Sequence, residues 1–450
     1  MPRYHPMARP LWLRSPLAVL ADAPGGIVVQ DGRITELVAS GGTPAGEHDV
    51  FDASRHVVIP GLVNTHHHFY QTLTRAYPPA LDRTLFAWLR ALYPVWARLT
   101  PEALDAAATV ALAELLLSGC TTTTDHHYVF PAGLEDAIGI EAAAAGRLGI
   151  RAVLTRGSMD LSQRDGGLPP DAVVQDRDTI LADSQRLIDR HHDPAPHAAL
   201  QIALAPCSPF TATRELLCET AELASRADVK LHTHLAETAD EAAYCRERFG
   251  CSPLDYLDEC GWLRPGTWVA HGVHFDDGEI ARLAKAQVGV THCPCSNQGL
   301  ASGTCRVCAL EAAGVAVGLG VDGSASNNAS NLMQEVRAAF LLQRGANGIA
   351  AVSHRDALRW ATEGSAACLG RPELGRIAVG AAADLALFTL DELRFSGAGD
   401  PVAALVLCGA HRADRVMVGG RWVVEDGRIP GLDIAALMRR HEAARARLAG

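Results

Sequence analysis

The middle of the chain alternates short apolar runs with longer amphipathic stretches. Eight of the runs are rich in Val, Leu, Ile and Ala, and we predict a strand for each. Continuous apolar runs of this kind are typical of parallel strands that are buried on both faces. The predicted strands cover residues 57–64, 121–126, 151–156, 199–205, 229–234, 267–271, 288–292 and 315–321.

The stretches between these runs have the boundary signals of helices. Thr100 and Pro101 are typical of an N-cap and the first helical position, and Gly119 ends the same stretch. A second helix is predicted over residues 331–344, ended by Gly345. Eight strands separated by helices predict an α/β fold, a (β/α)₈ TIM-like barrel.

The two ends of the chain differ from the middle. Residues 26–34 are typical of a strand, an Asp-Gly turn and a second strand, and residues 415–428 repeat this design. Neither set is long enough to hold a core alone, so we predict that both ends form one small β-sandwich domain. The predicted parts are residues 1–60 (N-terminal sandwich part), 61–371 (barrel) and 372–450 (C-terminal sandwich part and a terminal helix).

Composition narrows the class of protein. The chain has 450 residues, of which 48% are hydrophobic and 20% charged, a globular balance. Its 40 basic and 51 acidic residues give a net charge of −11, which argues against nucleic-acid binding. No apolar run approaches the ~20 residues of a membrane span. The N-terminal segment MPRYHPMARPLWLRS is a poor signal peptide, so we expect a cytoplasmic protein whose 12 cysteines are reduced.

Polar residues interrupt several apolar runs at their carboxyl ends, where barrel enzymes carry their chemistry. His66 and His68 follow the first run, and the strand alternation places them on one side with His67 on the other. A single residue of this kind is usually a satisfied polar group. Besides His66 and His68, the polar residues at strand ends are His234, Glu237, His271 and Asp322. Because these residues follow four different strands, together they indicate a metal centre with acid and base groups.

Five motifs carry a family resemblance. VIPGLVNTHHH, HLAE from His234, AHG around His271, HCPCSN from His292 and VDGSASNN from Asp322 resemble the amidohydrolase superfamily, in its cytosine/guanine/triazine deaminase branch. The resemblance covers the whole chain and implies an aminohydrolase, often a homo-oligomer (dimer or larger). It also implies one Zn²⁺ per subunit, because strand four ends in Cys207 where a second metal would require a lysine. The implied ligands are His66, His68, His234 and Asp322.

The resemblance also implies roles in hydrolytic deamination. Asp322 would take a proton from the zinc-activated water and later pass it to the departing amine. Glu237 would protonate the ring nitrogen of the substrate. His271 would stabilise the charge of the tetrahedral oxygen.

Other segments narrow the implied substrate to a free aminated purine base. Gln71 follows the histidines in a pattern similar to guanine deaminases, where this residue recognises the purine edge. Trp96 stands where nucleoside-binding relatives carry an acidic residue, which favours a free base. HHHFYQTLTR and YPVWARLTPE are most similar to 8-oxoguanine deaminases, which form urate and ammonia in purine catabolism. Tyr70, Arg156 and Cys207 are further candidate pocket residues.

Several alternatives stay open at this point. The substrate could be a hydroxylated s-triazine of the hydroxyatrazine type, guanine or isocytosine, since each presents an amino group on a similar ring edge. A non-catalytic scaffold is a different class, and the complete set of site residues opposes it. A Cys₄ zinc site is also conceivable, but the spacing favours core thiols for Cys293, Cys295, Cys305 and Cys308.

Overall fold

A closed barrel of eight parallel strands forms the centre of the protein. The computed structural model describes residues 9–449. Residues 1–8, the first part of the N-terminal segment MPRYHPMARPLWLRS, lie outside the described part. All eight predicted strands are present, and the predicted fold class is confirmed. In chain order, barrel strands 1 to 8 are Leu62–Asn64, Cys120–His127, Arg151–Ser158, Leu200–Pro206, Lys230–Leu235, Thr267–His271, Gly289–His292 and Val317–Leu319.

Helices pack around the barrel and follow their predicted start signals. Thr100 Oγ1 accepts a hydrogen bond from Ala103 N, and Asn331 caps its helix in the same way. This second helix passes the predicted end at Gly345 and stops at Asn347, since a glycine inside a helix costs only about 1 kcal/mol. The α-helices are Leu85–Trp96, Pro101–Leu117, Ala137–Leu148, Arg177–His191, Arg214–Ala227, Ala239–Phe249, Pro253–Glu259, Asp277–Ala286, Pro294–Gly299, Val307–Ala312, Leu332–Asn347, His354–Arg359, Ser365–Cys368, Pro401–Leu407 and Ile434–Ala449.

Two further sheets form the small β-domain, and both ends of the chain contribute to it. One sheet has four strands, Leu11–Arg14, Gly26–Gln30, Arg33–Val38 and Asp49–Asp52. The other has five strands, Ala18–Val19, His56–Pro60, Leu385–Thr389, Arg415–Val418 and Arg421–Val424. Residues of both sheets share one buried core, which includes Ile27, Val29, Val58, Leu385 and Met417. This shared core explains why neither end needs to be stable alone.

The first predicted strand, residues 57–64, divides into two strands in different domains. His56–Pro60 pairs antiparallel with Leu385–Thr389 in the β-domain, whereas Leu62–Asn64 belongs to the barrel. Gly61 is the junction, and a Cβ there would lie 2.2 Å from Thr121 Oγ1. The apolar run does not reveal the division because both strands are buried on both faces. The outer limits 1–60, 61–371 and 372–450 stay a prediction.

The terminal helix Ile434–Ala449 packs against the barrel helix Pro101–Leu117. The side chain of Arg98 donates to Leu448 O at 2.9 Å, and His441 Nε2 lies 3.1 Å from Thr72 Oγ1. The end of the chain therefore supports the barrel as well as the β-domain. Within residues 9–449, every helix is too short or too polar to cross a lipid bilayer.

We expect Gly61→Ala to destabilise the protein by about 1–3 kcal/mol, because the added methyl group meets Thr121 at the crowded junction. The measurement is the melting temperature of Gly61→Ala and of a control variant, each compared with the parent protein. Gly146→Ala is the matched control, since its Cβ would contact nothing within 4 Å inside a helix. It should be neutral or stabilise by up to about 1 kcal/mol. Equal melting temperatures for the two variants would contradict the steric role of Gly61.

Candidate active site

The carboxyl end of the barrel brings the predicted metal ligands together. His66 Nε2 and His68 Nε2 lie 3.4 and 3.3 Å from Asp322 Oδ1, and His68 Nε2 lies 3.1 Å from His234 Nε2. All four side chains are buried. Such spacings match ligand atoms that each lie roughly 2.0–2.2 Å from one zinc ion.

Hydrogen bonds to the far side of two rings decide which nitrogen carries the proton. His68 Nδ1 donates to His126 O at 2.7 Å, and His234 Nδ1 donates to Cys207 O at 2.6 Å. Each Nε2 therefore presents a lone pair. Two lone pairs that face each other across 3.1 Å form no hydrogen bond and need a shared cation.

The third ring is held by a histidine to which the sequence analysis assigned no role. His232 Nδ1 donates to Trp268 O at 2.9 Å, so His232 Nε2 accepts from His66 Nδ1 at 2.8 Å. His66 Nε2 is left with a lone pair and has no hydrogen-bond partner among the described residues. The signal was present in the sequence, because His232 and His234 repeat the His-x-His spacing of His66 and His68.

Asp322 supplies the negative charge of the cluster. Its Oδ1 faces the lone pairs of His66 Nε2 and His68 Nε2 at 3.4 and 3.3 Å, an arrangement that a bound cation would stabilise. Gly323 N donates to Asp322 Oδ1 at 2.6 Å, and Ser296 Oγ donates to Oδ2 at 2.5 Å. One carboxylate and three imidazole lone pairs form a donor set of the type that binds catalytic zinc.

Glu237 and His271 lie beside this donor set, and their pKa values are shifted in opposite directions. Burial, together with the nearby carboxylates of Asp322 and Glu241, raises the pKa of Glu237 well above its usual value and so favours the protonated form. Burial lowers the pKa of His271 to about 3, so its ring is neutral. Asn297 Nδ2 donates to His271 Nδ1 at 3.0 Å, which places the ring proton on Nε2. That Nε2 lies 3.6 Å from Glu237 Oε2.

A narrow cavity opens onto these groups, and two predicted pocket residues line it. Gln71 Oε1 has no hydrogen-bond partner among the described residues, and a Cβ on Gly323 would lie 1.8 Å from it. A side chain at position 323 would therefore displace the Gln71 amide from the place that it occupies here. Burial raises the pKa of Cys207 to about 12, so the second residue presents a neutral thiol. The lining residues are His68, Gln71, Leu85, Trp88, Leu89, Tyr93, Tyr128, Cys207, Phe210, His234, Glu237, His271, Leu300, Asp322 and Ser326.

Tyr70 and Trp96 lie one layer behind the cavity wall, which corrects the expectation that they line it. The Trp96 ring packs edge-on against Tyr70, with 5.2 Å between ring centres, and its Nε1 donates to Thr74 Oγ1. Both side chains are fully buried in the core. They shape the pocket through the residues in front of them.

Arg156 is also outside the cavity lining, because its side chain leaves the opposite face of strand 3. Its guanidinium pairs with Asp183 at 2.9 Å and donates to Gln175 Oε1 at 2.8 Å. Val153, three residues earlier, packs inside the barrel, so the strand alternation directs Arg156 towards the outer helices. The sequence does not show which alternate positions of this strand face inwards, so the outward direction of Arg156 became known only from the packing of Val153.

The helix Leu85–Trp96, which is not among the helices predicted from the sequence, covers one side of the cavity. Leu85, Trp88, Leu89 and Tyr93 line the cavity at the i, i+3, i+4, i+8 spacing of one helix face. The Tyr93 hydroxyl has no hydrogen-bond partner among the described residues. A test for helical periodicity around the predicted Trp96 would have found this wall.

The cysteines near strand 7 belong to the core and its edge. Cys293 and Cys305 are buried, while Cys295 and Cys308 are half-buried, and all four are free thiols. Within residues 9–449 none of them belongs to a group of three or more His, Cys, Asp or Glu side chains at metal-binding distance. The geometry therefore opposes a Cys₄ zinc site.

Known proteins resemble the chain over almost its full length. Residues 57–423 match the amidohydrolase family. The 8-oxoguanine deaminase of Pseudomonas aeruginosa PAO1 is 60% identical over 96% of this chain and 98% of its own. The hydroxydechloroatrazine ethylaminohydrolase of Pseudomonas sp. strain ADP is 40% identical over 84% and 80%. The zinc complex of atrazine chlorohydrolase from Arthrobacter aurescens TC1 is 31% identical, with a TM-score of 0.90 over 97% and 100%.

The chain belongs to the amidohydrolase family. This confirms the resemblance inferred from the motifs, and the zinc-bound structural neighbour agrees with a divalent metal at the histidine cluster.

A buried carboxyl group connects the loops that follow strands 7 and 8 of this amidohydrolase. Glu335 Oε2 accepts from Cys295 N at 3.1 Å, and its Oε1 accepts from Asn327 Nδ2 at 2.9 Å. The first loop carries Ser296 and Asn297, which orient Asp322 and His271. Burial raises the pKa of Glu335 to about 7.

His232→Phe should weaken metal binding by about 10- to 100-fold, because the ring stack on Trp268 survives but His66 Nδ1 loses its acceptor. The measurement is zinc affinity by competition with a chelator. His191→Phe, at the end of an outer helix, is the control and should keep the parent affinity. Equal affinities for all three proteins would show that His232 does not orient His66.

Glu335→Gln should make the stability of the protein less dependent on pH. The pKa of Glu335 is raised in the folded state, so its contribution is complete below about pH 4.5 and is lost as the pH rises towards about 7. We expect the free energy of unfolding of the variant, relative to the parent, to increase by up to about 3 kcal/mol between about pH 5 and pH 8. Urea unfolding measures it, with exposed Glu363→Gln as control. Parallel curves for parent and Glu335→Gln would contradict the buried titration.

Proposed function

We propose that the protein is a zinc-dependent hydrolytic deaminase that converts 8-oxoguanine to urate and ammonia. The observation that carries the proposal is the convergence of three histidine lone pairs and the Asp322 carboxylate beside the buried Glu237 carboxyl group. The full-length similarity to an 8-oxoguanine deaminase supports the substrate. We further propose one zinc ion per subunit, a cytoplasmic location, a role in purine catabolism and a homo-oligomeric assembly.

The roles of the residues follow from their protonation states. A zinc ion held by the four ligands would supply the Lewis acidity that makes water nucleophilic at neutral pH. Asp322, an ionised carboxylate, accepts the proton of the attacking water and later passes it to the departing amine. Glu237 donates its proton to the ring nitrogen beside the amino-bearing carbon, and it regains a proton when the hydroxyl of the tetrahedral intermediate loses its own as the carbonyl forms. His271 Nε2–H stabilises the oxygen of the tetrahedral intermediate.

The cavity favours a flat free base. Gln71 offers an amide that can both donate and accept at a purine edge. Trp88, Phe210 and Leu300 are apolar lining residues that suit the faces of an aromatic ring. The only carboxyl groups among the lining residues are Glu237 and Asp322, so no acidic side chain of the lining is left to hold ribose hydroxyls.

A second candidate substrate is a hydroxylated s-triazine. The 40% identical hydroxydechloroatrazine ethylaminohydrolase favours it, and the same metal and acid groups could release an alkylamine in place of ammonia. Guanine and isocytosine are further candidates with the same ring edge. The complete ligand set opposes a non-catalytic scaffold.

Zinc-loaded protein should release ammonia fastest from 8-oxoguanine, with urate appearing in equal amount. The assay compares 8-oxoguanine, guanine, isocytosine and hydroxyatrazine by ultraviolet absorbance and amine release.

Glu237→Gln should keep the zinc content and KM of the parent but lose about 10²- to 10⁴-fold in kcat, since the proton donor is gone and the metal ligands remain. Glu247→Gln, on an exposed helix face, should keep the parent rate.

Each contrary result has its own meaning. Faster amine release from hydroxyatrazine would replace the proposed substrate and keep the chemistry. No turnover of any compound by stoichiometrically zinc-loaded protein would reject the deaminase proposal. A near-parent kcat for Glu237→Gln would reject its assignment as the proton donor.

A further inference from the structure

The turn after strand 5 places Glu237 at the cavity through an unusual backbone conformation. Ala236 has φ +52°, in the left-handed region that residues other than glycine rarely adopt. This turn directs the next side chain, Glu237, into the cavity. A buried carboxyl group lies behind the turn, because Glu237 N donates to Glu241 Oε2 at 2.9 Å.

The carboxyl group that supports the turn belongs to the first turn of the helix Ala239–Phe249. Its Oε2 is the acceptor for the Glu237 N–H, so the helix holds the turn through the residue that enters the cavity. Glu241 is fully buried, and its Oε1 has no hydrogen-bond partner among the described residues.

The same turn also supports the loop that directly follows His271, the last residue of strand 6. Ala236 O accepts from Val273 N at 2.9 Å and from His274 N at 3.0 Å. One strained residue therefore joins the loops after strands 5 and 6. Glu237 lies in the first of these loops and His271 directly precedes the second, and Glu237 Oε2 lies 3.6 Å from His271 Nε2.

We propose that Glu241 is a positioning residue for the reaction: it holds the Ala236 turn and so sets the Glu237 carboxyl against the His271 ring. This inference rests on the proposed function of Glu237 and His271. It does not include substrate contact, because Glu241 lies outside the cavity lining. Loss of Glu241 should therefore affect the chemical step more than substrate binding.

Two variants and a matched control test the proposal. Glu241→Gln keeps one acceptor oxygen and should lower kcat by about 3- to 10-fold, whereas Glu241→Ala leaves the Glu237 N–H without its acceptor and should lower kcat by about 30- to 100-fold. KM should stay within about 2-fold and zinc content should stay at the parent value. Glu247→Gln changes an exposed glutamate of the same helix and should match the parent in all readouts.

The comparison of kcat with KM separates positioning from a purely structural role. A lower melting temperature with unchanged kcat per zinc-loaded subunit in Glu241→Gln and Glu241→Ala would overturn the proposal, as would loss of zinc. If Glu241→Ala fails to fold, the kcat of Glu241→Gln decides the question alone. Loss of activity in Glu237→Gln with parent kcat in the Glu241 variants would overturn this inference only. Full activity in Glu237→Gln would overturn the proposed proton transfer as well.

Discussion

The orientation of three histidine rings governs the chemistry at the mouth of this barrel. Each ring donates its Nδ1 proton away from the centre, to a backbone carbonyl for His68 and His234 and to His232 for His66. The three Nε2 lone pairs are thereby forced together beside the Asp322 carboxylate. Such a cluster is unfavourable without a cation and favourable with one, so the hydrogen bonds behind the rings create the metal site as much as the ligands do.

The loops around this centre are held by carboxyl groups that never reach the cavity. Glu241 supports the turn after strand 5, and Glu335 joins the loops after strands 7 and 8. Asp125 accepts the backbone N–H of Phe69, which directly follows His68. Burying an acid is costly unless it is hydrogen-bonded, and here each one satisfies backbone groups beside a site residue. Support for the centre is therefore distributed over several outer helices and strands.

Strained backbone occurs at the carboxyl ends of the barrel strands that carry the site residues. Ala236, His271 and Asp322 all have positive φ, and each lies just at or beyond the carboxyl end of a barrel strand. A strand that continued straight would carry its next side chains past the barrel mouth. The left-handed turn redirects them, and the surrounding hydrogen bonds maintain a conformation that would otherwise relax. Rigid strands and strained ends together hold the site groups at short, defined distances.

The sequence by itself determined the barrel, the β-domain built from both chain ends, and the group of strand-end residues that the structure brings together at the barrel mouth. Strand ends of a parallel barrel meet at one edge, so polar residues there can be assigned without coordinates. Only the tertiary structure decided that Trp96 lies behind the wall, that Arg156 points outwards and that Glu241 supports Glu237. These positions depend on which face of an element packs against which neighbour, and packing is a long-range property that local periodicity does not encode.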